Sequence, residues 1–421
     1  MIVLMLEKTI TQSVDQKSAD EPIFRCRSCG WTTGSPKDAC PNRDGIVEAV
    51  YLRNRLSVWP EVRAERPGIW RYALVLPAFP VSLSMHEGQT PLLQSRWIGP
   101  ERRLSLSFKD EGRNPSGSFK DRAAALMVSE AAGRACKAAV LTSSGNAACS
   151  IAMYCALAGM QCVVFVSEGA SPEKVLHARS FGARVIKLKL QSEAAVSEAT
   201  SWAAQHDGWT NLSMVAQENP LTLEGYKTLA YEVAERDVPD AVVVPVGAGT
   251  LLLGIWKGFQ EAHQWRLIDR IPRLIGVQPA GSSPIVRAYQ EGAERVEPDK
   301  YVDTIATGVA LGDPGLDGQE VLRAVRETEG AMIAVDDKAI LEATGLLARC
   351  EAILAEPSGA LSVAGVIRSS QEGLLSAGDR VVAVITGSGL KDTATMMRFA
   401  SSLEQWDEVT KARIRALGDT L

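Results

Sequence analysis

Apolar residues in this chain gather in short runs that end in Gly or Ser turns, each followed by a helix-like segment. Ala138-Ala139-Val140-Leu141 precedes Thr142-Ser143-Ser144-Gly145-Asn146, Cys162 to Val166 precedes Ser167-Glu168-Gly169, and Ala183 to Ile186 follows Gly182. The same form returns at Ala241 to Val246 before Gly247, Leu274 to Val277 before Gln278, and Val381 to Ile385 before Thr386. Runs of this length without polar alternation fit strands buried on both faces, and the segments between them fit crossover helices. The pattern, set in from about residue 104, predicts an α/β protein with parallel sheets and ligands at the carboxyl ends of the strands. An Ala-rich stretch from about Ala123 to Ala132 predicts one of the helices. No internal repeat or low-complexity block stands out.

The first forty-five residues follow another rule, with Cys26-x2-Cys29-Gly30 and then Cys40-Pro41-Asn42-Arg43-Asp44-Gly45. Two knuckles of two cysteines each would surround a zinc ion tetrahedrally. Here Arg43 stands where the fourth thiolate belongs, and a cation there opposes a metal. Zinc is therefore not expected on Cys26, Cys29 and Cys40 unless Asp44 or a loop residue completes the shell, and a vestigial ribbon packed on the main body is the favoured reading.

At 421 residues, two or three folded units are expected. A net charge of −5 leaves no basic excess for a nucleic-acid backbone. The opening Met-Ile-Val-Leu-Met-Leu is too short for a signal or membrane segment. Eight cysteines, several within apolar stretches (Cys136, Cys149, Cys155, Cys162, Cys350), point to reduced thiols and a cytoplasmic protein.

The candidate chemistry lies in Asn114-Pro115-Ser116-Gly117-Ser118-Phe119-Lys120-Asp121-Arg122 and in three glycine-bearing turns. Asn-Pro-Ser-Gly makes a turn, Ser118 can cap the helix that follows, and Lys120 then sits in its first turn, where the helix dipole disfavours an ammonium. Lys120 is either a solvated residue at a helix start or an amine nucleophile with a depressed pKa. The turn 142–147 offers hydroxyls, N–H groups and Asn146 to a carboxylate or phenolate. Gly247-Ala248-Gly249-Thr250 is a compact nest for a phosphate dianion, and Thr386-Gly387-Ser388-Gly389-Leu390-Lys391-Asp392 is a third turn of the kind. Taken singly, each could be structural.

Taken together, with Gly68-Ile69-Trp70-Arg71-Tyr72, Glu87 to Leu92, Glu224-Gly225-Tyr226-Lys227-Thr228, Ala306-Thr307-Gly308 and Glu356-Pro357-Ser358-Gly359-Ala360, this order resembles the fold type II pyridoxal-phosphate enzymes, and among them the threonine synthases and related cysteate synthases. The resemblance implies two parallel-sheet domains: a large cofactor-binding domain of residues 46–111 and 194–421, a small mobile domain of residues 112–193, and the cysteine-knuckle segment 1–45. It implies that Lys120 holds pyridoxal 5'-phosphate as a Schiff base and shuttles protons. Asn146 would meet the ring hydroxyl, Gly247, Ala248, Gly249, Thr250 and Leu251 the phosphate, and Thr386 the ring nitrogen. Ser143, Ser144 and Ala147 would receive the substrate carboxylate, and Lys174 a substrate phosphate.

One departure bears on substrate. Threonine synthases commonly carry Arg in the segment that here reads Asn219-Pro220-Leu221-Thr222-Leu223-Glu224-Gly225. A hydroxyl at Thr222 in place of a guanidinium removes a charge-assisted contact worth roughly 1.5–3 kcal/mol. The expected activity is a lyase reaction converting O-phosphohomoserine and water to threonine and phosphate. The alternatives are cysteate synthase-like replacement on O-phosphoserine, dehydration of threonine or serine, a specialised branch on another activated amino acid, and a non-catalytic scaffold. A small amino-acid substrate, no nucleic-acid or membrane partner, and a homodimer complete the expectation.

Overall fold

The computed structural model describes residues 21–36, 40–42, 44–51, 59, 66–168, 172–189, 193–393 and 395–397. The opening apolar hexapeptide and Arg43 lie outside them. A small antiparallel sheet comes first, with β1 (Ile23–Cys26) between β2 (Thr32–Thr33) and β3 (Val47–Val50). β3 supplies the longest pairing of this ribbon.

Two larger sheets follow. The six-stranded one contains β4 (Leu92–Gln94), β5 (Ser105–Asp110), β10 (Ala241–Pro245), β11 (Arg273–Pro279), β12 (Ala331–Val335) and β13 (Arg380–Ile385), in the order β12-β11-β10-β13-β5-β4. It is parallel except at its edge, where β4 runs antiparallel to β5. The four-stranded one, β8-β7-β6-β9, contains β6 (Ala138–Thr142), β7 (Gln161–Ser167), β8 (Arg184–Leu188) and β9 (Trp209–Asn211), all parallel. Through the pairing of β9 with β6, residues 209–211 belong to the smaller sheet. The three-residue β9 was too short to register as an apolar run.

Helices α1 (Ile98–Glu101), α2 (Lys120–Gly133), α3 (Asn146–Ala158), α4 (Pro172–Ser180), α5 (Glu193–Ala203), α6 (Leu221–Ala234), α7 (Thr250–Gln264), α8 (Pro284–Gln290), α9 (Gly315–Glu327), α10 (Asp337–Glu351) and α11 (Pro357–Gln371) make the crossovers and cover the sheets. Three of them, α2, α6 and α7, stack at the centre. Alanines 123–125 of α2 are wholly buried, and Gly225 of α6 lies so close that an added Cβ would meet the Arg122 carbonyl oxygen at 2.5 Å. Gly258 of α7 stands against the Lys227 carbonyl in the same way, also at 2.5 Å. Small residues are what allow these backbones to approach.

Charge is buried in the same stack. The Arg122 guanidinium, with no exposed surface, donates to both oxygens of Glu111 (2.7 and 2.8 Å) and of Glu232 (2.7 and 2.8 Å), and Lys109 Nζ adds a 2.6 Å contact to Glu232. The paired cations hold Glu232 down to about 2 against the opposing effect of its burial. No helix among the described residues is long and apolar enough to cross a membrane.

Candidate active site

Lys120 opens α2 at the end of a turn whose geometry is set by Asp121. The Asp121 carboxylate accepts from Ser116 N (2.6 Å), Ser116 Oγ (2.5 Å) and, out of α3, Ser150 Oγ (2.5 Å). Ser118 does not cap the helix. The residue before Lys120 is Phe119, which has no capping oxygen, and Ser118 Oγ is buried with no hydrogen-bond partner among the described residues. The loop is instead stitched to the turn after β13, with Phe119 N donating to the Thr386 carbonyl (3.1 Å) and Ser388 N to that of Gly117 (2.9 Å).

The Lys120 amine is half-buried, 4.8 Å from the Phe119 ring centroid and 5.7 Å from that of Tyr226. Burial lowers its pKa to about 8, with the Asp317 carboxylate acting in the opposite sense. At neutral pH this leaves about 300-fold more free amine than an ordinary lysine holds.

The turn after β10 is shaped by glycine. Gly249 has φ +106°, and an added Cβ there would lie 2.1 Å from Val321 Cγ2. A Cβ on Gly247 would approach Val309 Cα to 3.2 Å. Thr250 then opens α7 and donates to Asp317 Oδ2 (2.5 Å), an acid that also accepts from Ala216 N and Gln217 N. Burial raises the Asp317 pKa. The first N–H groups of α7, including that of Leu251, have no acceptor within the helix, while the Leu251 side chain is itself buried. This is a cradle of N–H donors on the positive end of a fifteen-residue helix.

The turn after β6 lies at the end of the other sheet. Ser143, Ser144 and Ala147 are half-buried, Ser143 Oγ accepts from Gly145 N (3.2 Å), and Asn146 opens α3. A hydrogen bond joins this turn to the larger sheet, with Asn146 Nδ2 donating to Glu356 Oε1 (2.8 Å). Glu356 N in turn donates to the Gly387 carbonyl (3.1 Å). Burial pushes the Glu356 carboxyl up to about 7, moderated by Lys391 and by Asn146. The turns 142–147, 386–389 and the lysine loop are thus brought together through named bonds, and Asp317 links the 247–250 turn electrostatically to Lys120.

Two expected substrate contacts stand differently. Thr222 is fully buried in the first turn of α6, and its hydroxyl donates to the Asn219 carbonyl (2.7 Å), so it is engaged in the helix start. Lys174 falls in α4, with its side chain outside the described residues. Asp317 carries no motif, and its partner Thr250 is 67 residues away, so nothing along the chain marked it. Glu356 and Tyr226 were visible only as members of motifs, without a role.

Residues 83–387 match the family model described as pyridoxal-phosphate dependent enzyme, and the chain belongs to this family. Threonine synthases are among its relatives within the family. That of Methanocaldococcus jannaschii is 34% identical over 390 residues, covering 90% of this chain and 91% of its own length. That of Methanosarcina acetivorans is 32% identical over 386 residues, with the same 90% and 91% coverage. Among solved structures, the threonine deaminase of T.th. is similar with a TM-score of 0.61 and 26% identity, over 72% of this chain and 92% of that one. Maize serine racemase, at 23% identity and a TM-score of 0.61 over 76% and 94%, shares the fold. The chain is therefore a threonine synthase-like, pyridoxal-phosphate-dependent lyase of fold type II.

The residues present fit that cofactor. A poised amine, the buried unpartnered Ser118 hydroxyl, and a nest from which side chains are excluded at Gly247 and Gly249 answer to an aldehyde carrying a phosphate.

Proposed function

We propose that the chain releases phosphate from O-phosphohomoserine and adds water to yield threonine, with Lys120 holding the cofactor as a Schiff base. The observation that carries this reading is the half-buried Lys120 amine, with a pKa near 8, at the meeting of three glycine turns. When bound, pyridoxal phosphate supplies an aldehyde for amines and a ring that takes up the electron pair left by a departing α proton.

The chain's own groups do the rest. Backbone N–H groups of Gly247 to Leu251 would hold the cofactor phosphate. Asn146, fixed by Glu356, would face the ring hydroxyl, and Thr386 the ring nitrogen. The hydroxyls and N–H groups of Ser143, Ser144 and Ala147 would orient the substrate carboxylate. The Lys120 amine would take the α proton and return it, a role suited to an amine near neutrality.

A second reading is favoured by Thr222, which stands where threonine synthases commonly carry Arg and whose buried hydroxyl is bonded to the Asn219 carbonyl. On that reading the substrate is O-phosphoserine, threonine or serine, undergoing elimination or β-replacement. Incubation with each of the four amino acids, followed by phosphate and amino-acid analysis, separates the two. Equimolar phosphate and threonine from O-phosphohomoserine support the first, and turnover of another member of the panel alone supports the second. The proposal extends to a cytoplasmic homodimer, checked by light scattering, in which residues 112–193 form the bulk of the unit that moves on substrate binding.

A further inference from the structure

Away from the active site, three thiols and a carboxylate converge on one point. Cys26 ends β1, and the chain turns back at Gly30, φ +74°, with Gly30 N donating to the Cys26 carbonyl (3.1 Å) and Cys26 N to that of Trp31 (2.8 Å). This turn and the Cys40–Asp44 segment bring the Sγ atoms of Cys26, Cys29 and Cys40 and an Asp44 oxygen within 4.8 Å of one another. Cys29 Sγ is 3.4 Å from Cys40 Sγ, while Asp44 Oδ1 is 3.5 Å from Cys40 Sγ and 3.7 Å from Cys26 Sγ.

Those separations have a simple geometric meaning. Ligands at the corners of a tetrahedron around zinc, with Zn–S about 2.3 Å and Zn–O about 2.0 Å, stand about 3.8 Å apart for two sulfurs and about 3.5 Å for sulfur and oxygen. The three close separations fall within about 0.4 Å of those values, and the four ligand atoms all lie within 4.8 Å of one another. We propose that Cys26, Cys29, Cys40 and Asp44 form a structural zinc site. Asp44 is the condition on which the sequence made a metal depend, and it is at the thiols.

The site has a mechanical consequence, because the ribbon it would close is joined to the catalytic body. Arg27, between the first two cysteines, donates to Glu48 (2.7 Å), pairs with Glu320 (3.5 Å) and lies 4.6 Å over the Trp256 ring of α7. Lys257 Nζ of α7 donates to the Ala49 carbonyl (2.6 Å), and Tyr51 Oη to Glu224 of α6 (2.6 Å). Four protein ligands close the shell, so the ion holds structure and takes no part in catalysis. Binding exchanges the three thiol protons for one divalent cation, and no redox step is involved.

The test is metal analysis of the full-length holoenzyme, purified under reductant with no affinity tag. About one zinc per chain is expected, and exchange for cobalt(II) should give the thiolate-to-cobalt charge-transfer band and intense visible bands of a tetrahedral thiolate site. Cys40→Ser and Asp44→Asn should weaken zinc retention against a chelator at least tenfold, while Asp44→Cys should retain it. Less than one tenth of a metal ion per chain with no cobalt spectrum would overturn the proposal, as would a Cys29–Cys40 disulfide in metal-free protein or undiminished zinc in Cys40→Ser. The wild-type measurements decide the matter even if a variant fails to fold, and they do not depend on which amino acid the enzyme converts.

Discussion

The ionisation of Lys120 can be measured directly. With its pKa lowered from 10.5 to about 8 by burial, about one tenth of the amine is free at pH 7, against about 0.03% for an ordinary lysine. Only the free amine attacks an aldehyde, so cofactor capture by the stripped apoenzyme, trapped with borohydride and divided by the rate for a lysine peptide, should show an advantage of about 300 at pH 7. The advantage should fall to about 30 at pH 9 and about 4 at pH 10, as the peptide amine deprotonates and Lys120 no longer does.

The same desolvation enters stability with a definite sign. Between pH 8 and 10.5 the unfolded chain holds a proton that the native Lys120 has lost, so apoenzyme stability rises across that window by at most roughly 3 kcal/mol. In Lys120→Met the rise should vanish, and the apoprotein should be the more stable of the two at pH 7 by urea unfolding. A capture advantage that stays flat from pH 7 to 10, or equal pH slopes for the two proteins, would refute the burial argument. Turnover surviving in Lys120→Met would refute the assignment of the residue itself.

Gly249→Ala must accept a left-handed φ and a clash with Val321, costing roughly 2–5 kcal/mol in urea unfolding and raising the cofactor dissociation constant. Arg122→Met leaves Glu111 and Glu232 buried with Lys109 as their nearby cation, and should cost roughly 3–5 kcal/mol; a loss under 1 kcal/mol would mean the network is not desolvated as drawn. Glu356, raised from 4.5 to about 7, keeps its proton in the native state after the unfolded chain has lost it. Its stabilisation is complete below pH 4.5 and lost by pH 7, so Glu356→Gln should remove a fall of roughly 3 kcal/mol between those values in pH-dependent unfolding. Thr222→Arg should lower the KM for O-phosphohomoserine and make phosphate a better thermal stabiliser of the variant than of the wild type; an unchanged KM would locate the substrate preference elsewhere.

The strands most legible in sequence were those buried on both faces, such as β6, β7, β10 and β13, because nothing polar interrupts them. Strand β5 escaped for the opposite reason. Its Lys109 and Asp110 break the apolar pattern, yet both are buried, Lys109 through its pairing with Glu232 more than a hundred residues away. The glycine turns and Lys120 were readable because each needs residue types that stand out. What fixes them was not: Ser118 makes no cap, the Asp121 carboxylate instead ties the turn together through Ser116 and Ser150, and the acids Asp317 and Glu356 are engaged only through contacts at long range. The hydrogen bond from the Thr222 hydroxyl to the Asn219 carbonyl was likewise not visible in the sequence.

The close approach of α2, α6 and α7 limits what mutation can do to this enzyme. Where Gly225 and Gly258 touch neighbouring main chain, even a methyl group has no room, and main chain cannot swing aside as a long side chain can. A saturation library scored for growth should therefore show intolerant positions well removed from the glycine turns, in a band beneath Lys120. Adaptation to new substrates would have to come from the turns that cap the sheets, because the floor supporting them has no slack to give.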